Sequence, residues 1–542
     1  MENTDLIVLW GSNAREAHPI FFHHVLRGMR RGARLIVVDP RHSATARHAD
    51  LWLGPDVGTD IALANAVGRE IIAAGLVDGP FVARATIGFE AYRAAVEPYT
   101  LERAEALTGV PADAVRELAH AYARAGRAQL CWTLGITEHH NAVDNVLALI
   151  NLALLTGHVG RYGSGLNPLR GQNNVQGGGD MGAIPNKLAG FQDIEADAAA
   201  RARFGQAWGC AIPPRRGMHL SEMFEAMDAG TLRALYVIGE NPARSEADAR
   251  HTEARLRGLD CLIVQDMLLT RTAEMADVVL PASASWCESE GTVTSSERRV
   301  QRVRRAVAPP QGARDDLEIL SALAARLGRD WGVPSAQAVW DECRRLSPMH
   351  GGMSYARLEA RGGIQWPCPD EAHPGTPFLH GRLWEDPVGG PLAPFSPVAY
   401  EPPVDALSPD YPIRLTTGRQ LDAFNTGVQS DSLHAPLRRD ETLDLSPADM
   451  VRLGLGEGEV VRVVSRRGSL TVAVHADDAL REGLAFMTFH FADRVNTNLL
   501  TVDAWDPKSG TAEFKATAIR VERLSAPTEA PVTVAGPAGG PA

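Results

Sequence analysis

The stretch Asp5-Leu-Ile-Val-Leu-Trp-Gly-Ser-Asn13 decides the fold. It is a short apolar run closed by a glycine, the pattern of a strand buried on both faces in a parallel sheet. A helix is predicted over residues 19–31, with Pro19 near its start, where a missing N–H is harmless. Leu35-Ile-Val-Val-Asp-Pro-Arg41 then supplies a second strand. Strand, helix and strand make a βαβ unit. A helix over 60–74, a strand over 129–134 and a strongly apolar helix over 141–155 continue an α/β domain.

The pattern returns further on. Leu235-Tyr-Val-Ile-Gly-Glu-Asn-Pro242 echoes Leu6-Ile-Val-Leu-Trp-Gly-Ser-Asn13. Leu262-Ile-Val-Gln-Asp266 echoes Leu35-Ile-Val-Val-Asp39, and Asp277-Val-Val-Leu-Pro281 adds a third strand. Two Rossmann-like units are therefore expected, each with Gly-x-Asn after its first strand and an acidic residue after its second. Ligands in such sheets bind at the carboxyl ends of the strands. Two units imply two nucleotide-like ligands, or one ligand with two nucleotide arms. Neither unit has a full Gly-x-Gly-x-x-Gly, so ordinary NAD binding has little support. Residues 366–404 are rich in proline and glycine and read as a linker. Residues 412–523 hold short β-type runs at 413–417, 459–465, 470–474 and 516–521, the pattern of a barrel. The expected division is 1–172 and 173–330 for the two Rossmann-like units, 331–405 for a helical and Pro/Gly-rich connection, 406–525 for the barrel and 526–542 for a disordered tail.

The net charge of −12 disfavours nonspecific nucleic-acid binding. No run of ~18 apolar residues could span a membrane, and no targeting segment is evident, so the protein is expected in the cytoplasm. The cysteines, Cys131, Cys210, Cys261, Cys287, Cys343 and Cys368, are scattered. They are expected to be buried small hydrophobes, with no iron–sulfur cluster or zinc held by this chain. His139 and His140 look like a metal pair, but neighbours on a strand face opposite ways, and no metal ligand is assigned.

The chemistry lies in Asn167-Pro-Leu-Arg-Gly-Gln-Asn-Asn-Val-Gln-Gly-Gly-Gly-Asp180. Glycines let backbone approach a ligand, amides read donors and acceptors, and an arginine fork suits a carboxylate. This run resembles the active-site segment of molybdopterin-dependent formate dehydrogenases, in the dimethyl sulfoxide reductase superfamily. The resemblance extends from about Glu2 to Arg523. It implies two Rossmann-like halves, each holding one arm of a bis(molybdopterin guanine dinucleotide) that carries molybdenum or tungsten, closed by a C-terminal double-psi β-barrel. The implied reaction is oxidation of formate to CO2.

Carried over by position, the resemblance implies that Arg170 orients formate and steadies developing charge, with Gln172 near the pterin. Gly11, Asn13 and Glu16 would meet the dinucleotide at the first strand–helix turn. Asp39, Arg41, Gly58 and Asp60 would frame one guanosine arm. Gly239, Asn241 and Ser245 would do similar work in the second half, where Gln265, Asp266 and Asp316 would contact the other arm. Glu138 would touch the cofactor, as would Thr417, Arg419, His490, Asn498, Phe514 and Lys515 of the barrel. Simpler readings stand beside these. Arg170 would pair with Asp180, Asp39 would be a turn residue, Asp60 would favour its helix N-terminus, and Lys515 would be a solvated surface charge.

In that family the [4Fe–4S] cysteines and the metal ligand, a selenocysteine or cysteine followed by histidine, lie upstream of the first strand. No cysteine here replaces that ligand. The expectation is that the cluster belongs to a region absent from this sequence, through a selenocysteine codon read as a stop or through a separate partner chain, and that this chain alone is inactive. Electron-transfer subunits are expected partners. A noncatalytic scaffold of an electron-transfer complex, or another molybdopterin reaction such as oxyanion reduction, are the alternatives.

Overall fold

The computed structural model describes residues 1–285, 287–426 and 440–524, so the tail expected at 526–542 lies outside the described residues. The first unit is a parallel sheet of five strands in the order Leu51–Leu53, Arg34–Val38, Leu6–Trp10, Ala128–Trp132 and Gly165–Pro168. All five residues of Leu6–Trp10 are buried, as a central parallel strand requires. Pro19–Arg30 covers one face of the sheet, through Phe22 and Val25, while Asp60–Ala73 and Ala142–Thr156 belong to the core on the other. The chain order reverses between Arg34–Val38 and Ala128–Trp132, on either side of Leu6–Trp10, which opens a crevice at the carboxyl ends.

That crevice is built by two glycines back to back. Gly11 has φ +58°, and a Cβ on Gly135 would lie 2.6 Å from the Gly11 carbonyl oxygen. The Gly135 N–H instead donates to that oxygen, as does the Thr133 hydroxyl at 2.7 Å.

The second unit has three parallel strands, with Cys261–Asp266 between Ala234–Ile238 and Val278–Pro281. It repeats the first atom for atom at the strand ends. The Asn13 Oδ1 accepts from the Thr45 N–H and hydroxyl, and the Asn241 Oδ1 accepts from the Thr272 N–H and hydroxyl. Gly11 N–H donates to the Val38 carbonyl and Gly239 N–H to the Gln265 carbonyl, each at 2.8 Å. Asp39 accepts from the Arg41 N–H and Asp266 from the Leu268 N–H. The sequence echo is therefore a structural repeat, fixed by the same amide-to-threonine tie in both units.

The C-terminal unit is a closed six-stranded barrel with mixed pairing. Four of its strands match the sequence reading; Thr442–Leu445 and Leu484–Thr488 were missed. Thr442–Leu445 alternates but has only four residues, too few to stand out, and all five residues of Leu484–Thr488 are buried, so that strand lacks the period-2 signal of a half-exposed one.

The stretch 366–404 corrects the linker reading. It is irregular, but it straps the outer face of the first unit. Ala393–Pro394 pairs with Thr86–Ile87, Phe395 stacks on Tyr92 and Trp384 stacks on Phe81. Its aromatic side chains, not its backbone propensity, decide where it lies.

Two outcomes are expected. Gly135→Ala forces a methyl into the Gly11 backbone and should cost about 1–3 kcal/mol, read as a lower denaturation midpoint. In the barrel, Glu441 is buried and accepts from the Thr488 N–H at 2.8 Å; burial raises its carboxyl to about 7. A folded-state value above the unfolded one means that its contribution is full below the ordinary carboxylate range and is lost as pH rises through 7. Glu441→Gln should flatten that part of the stability profile in thermal melts from pH 5 to 8.

Candidate active site

The strand ends of both Rossmann-like units and the mouth of the barrel face one cleft of about 1670 Å³. That exceeds the ~300–1,000 Å³ of a site for a drug-sized ligand. Gly11, Asn13, Asp39, Arg41, Gly58 and Asp60 line it from the first unit. Gly239, Asn241, Ser245, Gln265, Asp266 and Asp316 line it from the second. Glu138, Arg170, Gln172, Thr417, Arg419, Phe514 and Lys515 complete the wall. Residues spread over 505 positions of sequence thus share one surface.

Three of the residues singled out in the sequence do not line it. Glu16 accepts from the Leu421 N–H at 2.7 Å, tying the first unit to the loop after Ile413–Gly418. His490 accepts from the Gln420 N–H at 2.9 Å. Asn498 donates to the carbonyls of Arg244 and Ser245. Each holds a lining segment from behind, a relation that a sequence cannot display.

The Arg170 loop leaves the last strand of the first sheet. Asn174, at φ +60°, turns it into the helix Val175–Asp180, and the Asn174 Oδ1 accepts from the Thr294 N–H. Arg170 points into the open cleft. Its Nε donates to the Gln176 Oε1 at 3.3 Å, and Gln176 donates to the Asp180 Oδ1 at 2.9 Å. Asp180 is fully buried and also accepts from the Trp366 indole at 2.8 Å. The simple Arg170–Asp180 pair is therefore replaced by a relay through Gln176, which leaves the outer guanidinium nitrogens for a ligand.

Asp39 and Asp60 are buried, and burial raises both carboxyls; Arg41 opposes this at Asp39, while His139 and the Trp10 indole, at 2.8 Å, oppose it at Asp60. In the second unit, burial likewise raises Asp266, with the nearby Asp316 adding to it. Gln265 is fully buried and donates to Asp316. The first unit thus presents buried carboxylates to the cleft and the second half-buried ones, surfaces that accept from a ligand rich in N–H donors. Asp60 is also the first residue of its helix, so the simple reading and the lining role coincide there. These acceptor sets suit a ligand with two guanine-like arms.

Lys515 is buried. It pairs with Glu138 at 2.7 Å and donates to the Thr417 carbonyl, which corrects the surface-charge reading. The His139–His140 pair is corrected too. Both residues lie in a bend after Leu134–Thr137, not on a strand, and both rings face the Glu513 carboxylate. Glu513 also accepts from the N–H groups of His140, Lys515 and Ala516. Burial by itself would raise Glu513, but His139 and these donors hold it far below the ordinary range. Burial opposes charge on His139, and Glu513 outweighs it, raising the imidazole. Of the cysteines, Cys131 and Cys368 are buried; Cys210 is exposed and Cys261, Cys287 and Cys343 are half-buried, which corrects the expectation for those four. Among the described residues no group of three or more His, Cys, Asp or Glu side chains could hold a metal ion. Sequence reasoning missed Thr133, Gly135, His18 and Glu513, although the last two adjoin residues that it singled out.

Two Rossmann-like units and a barrel around one acid-lined cleft define a fold that suits a dinucleotide cofactor. Residues 1–326 match molybdopterin oxidoreductase, and residues 413–518 match the molydopterin dinucleotide binding domain. The chain belongs to the molybdopterin oxidoreductase family, within its formate dehydrogenase alpha subunits. It is 38% identical over 534 residues to the F420-dependent formate dehydrogenase subunit alpha of Methanocaldococcus jannaschii, covering 97% of this chain and 77% of that one. It is 38% identical over 531 residues to formate dehydrogenase H of Escherichia coli, covering 97% and 74%. Acetylene hydratase from Pelobacter acetylenicus shares the fold, with a TM-score of 0.75 at 20% identity over 96% of this chain and 78% of that one.

Removing the imidazole in His139→Ala leaves Glu513 buried without its charged partner. The expected loss is about 3–5 kcal/mol, measured by urea unfolding. In the wild type, the part of this stability carried by the raised imidazole is full below its unfolded value and is lost as pH rises through the folded one.

Proposed function

We propose that this chain is the major part of a formate dehydrogenase catalytic subunit, whose reaction is the oxidation of formate to CO2, a proton and two electrons, and that taken alone it is inactive because the metal ligand is not among its residues. The observation that carries the reading is the Arg170 guanidinium, held by Gln176 and presented to a cleft where both units and the barrel meet. The cofactor, bis(molybdopterin guanine dinucleotide) with molybdenum or tungsten, would be held by Asp39, Arg41, Gly58 and Asp60 on one arm and by Gln265, Asp266 and Asp316 on the other. Gly11, Asn13, Gly239, Asn241 and Ser245 would meet it at the strand ends, and Gln172, Glu138, Thr417, Arg419, Phe514 and Lys515 nearer the centre. When bound, that group supplies the redox chemistry that takes two electrons from the substrate.

The chain's own work is binding and orientation. The guanidinium fork donates to the two formate oxygens side by side, which directs the C–H bond away from the arginine. Positive charge at Arg170 holds the anion, while the buried Asp180 meets Arg170 through Gln176. Glu16, His490 and Asn498 brace the lining segments. The functional division follows 1–172, 173–330, 331–405 and 406–525. Electron-transfer subunits, or a partner chain carrying a [4Fe–4S] cluster, would receive the electrons. No described helix is long and apolar enough to cross a membrane. The free cysteines suit a reducing compartment, and the cytoplasm is the proposed one.

Arg170→Ala in the holoenzyme should lower kcat/KM for formate by roughly 10²–10³, with metal and pterin content unchanged. Arg170→Lys should not restore it, since an ammonium lacks the fork. Formate turnover that survives Arg170→Ala would sink the assignment.

A further inference from the structure

His18 has no part in the reading above, yet it stands on the cleft wall where Ala14–Ala17 meets Pro19–Arg30. Its main chain is committed. The N–H donates to the Ala14 carbonyl at 2.8 Å, and the carbonyl accepts from the Phe22 N–H at 2.9 Å. Its ring is not. Both Nδ1 and Nε2 are shut off from solvent, and among the described residues neither makes a hydrogen bond of full geometry, although the ring lies close enough to the Arg170 main chain to feel it. A polar atom left so costs about 1–3 kcal/mol, and an unsatisfied group that persists in a packed wall calls for an explanation.

The neighbours supply one. A methyl placed on Gly171 would lie 2.7 Å from the Arg419 Nη1 and 3.8 Å from the His18 Nε2. The imidazole and the barrel arginine therefore close on the same residue, the one that follows Arg170. Burial and the Arg419 charge lower the imidazole from its ordinary value, and only the Arg170 main chain acts to raise it. A neutral ring has one N–H to donate and one lone pair to offer. The Arg170 carbonyl accepts from the Ser296 hydroxyl at 3.0 Å and has a second lone pair in reserve.

We propose that His18 is a positioning residue for Arg170: its imidazole, set between the Arg170-Gly171 main chain and Arg419, donates to the Arg170 carbonyl when an anion is held at the guanidinium, and so fixes the direction of the fork. Ser296 steadies that carbonyl from one side and His18 from the other. A neutral ring does this without adding a third cation beside Arg170 and Arg419. The inference rests on Arg170 being the formate-binding residue.

The test uses the holoenzyme with His18→Phe, which keeps the ring shape and removes both nitrogens, His18→Gln, which returns a donor and an acceptor, and Arg170→Ala as reference. Formate KM and kcat are measured beside metal content. The ¹⁵N signals of the His18 ring are followed as formate is added to wild-type protein. The expected result for His18→Phe is a KM raised roughly tenfold, the scale of one hydrogen bond, with a smaller change in kcat and full metal content. His18→Gln should recover most of that loss, and the wild-type ring signals should shift to those of a hydrogen-bonded neutral imidazole with formate. An unchanged KM in His18→Phe, or ring signals indifferent to formate, overturns the proposal. So does a His18→Phe protein that loses metal in step with KM, which marks a packing role alone. If Arg170→Ala also leaves formate KM and turnover intact, the reading of Arg170 falls with it; if Arg170→Ala is crippled while His18→Phe is normal, only the role of His18 falls.

Discussion

A single buried carboxylate, Glu513, holds the third wall of the cleft in place. Its two oxygens receive His139 and His140 from the first unit and the Lys515 and Ala516 N–H groups from the barrel segment. A carboxylate in such a place is tolerable only when charged partners and donors saturate it. The same tie brings Phe514 N–H to the Glu138 carbonyl and sets Lys515 beside Glu138. The barrel is thereby registered against the crevice of the first sheet, with Arg41 lying 3.5 Å over the Phe486 ring as a further contact between them.

Around that junction the two Rossmann-like units work as one device used twice. Each ends its first strand in a glycine at positive φ and an asparagine locked to a threonine, and each ends its second in an aspartate that caps its own turn. The repeat places paired acidic surfaces on opposite sides of one cleft. Arg170, reached through a loop rich in glycine and amides, puts a cation between them.

Much of this is legible in the chain. Parallel strands write themselves as continuous apolar runs, so Leu6–Trp10, buried throughout, and Ala234–Ile238, partly exposed here, are both found directly. Strand-end residues such as Asn13, Asp39, Asn241 and Asp266 follow from those strands, because ligands in such sheets gather at carboxyl ends. The Arg170 loop is contiguous and compositionally unusual. Residues that act across units leave no such mark. Glu513 and His139 are 374 positions apart, and Asn498 reaches back to Ser245 across 253. The strap at 366–404 reads as a linker because its order comes from aromatic burial against Phe81 and Tyr92, not from local periodicity.

The sequence by itself determined the α/β class, the doubling of the strand-end pattern, the barrel and the place of the arginine-bearing loop, since each is encoded in the period or composition of neighbouring residues. Only the tertiary structure decided which polar residues face the cleft and which brace it, that Lys515 is buried against Glu138, and that an imidazole lies under the Arg170 loop. Those outcomes depend on burial and on distances between remote segments. Both are properties of the packed chain, and neither follows from the order of residues along any one part of it.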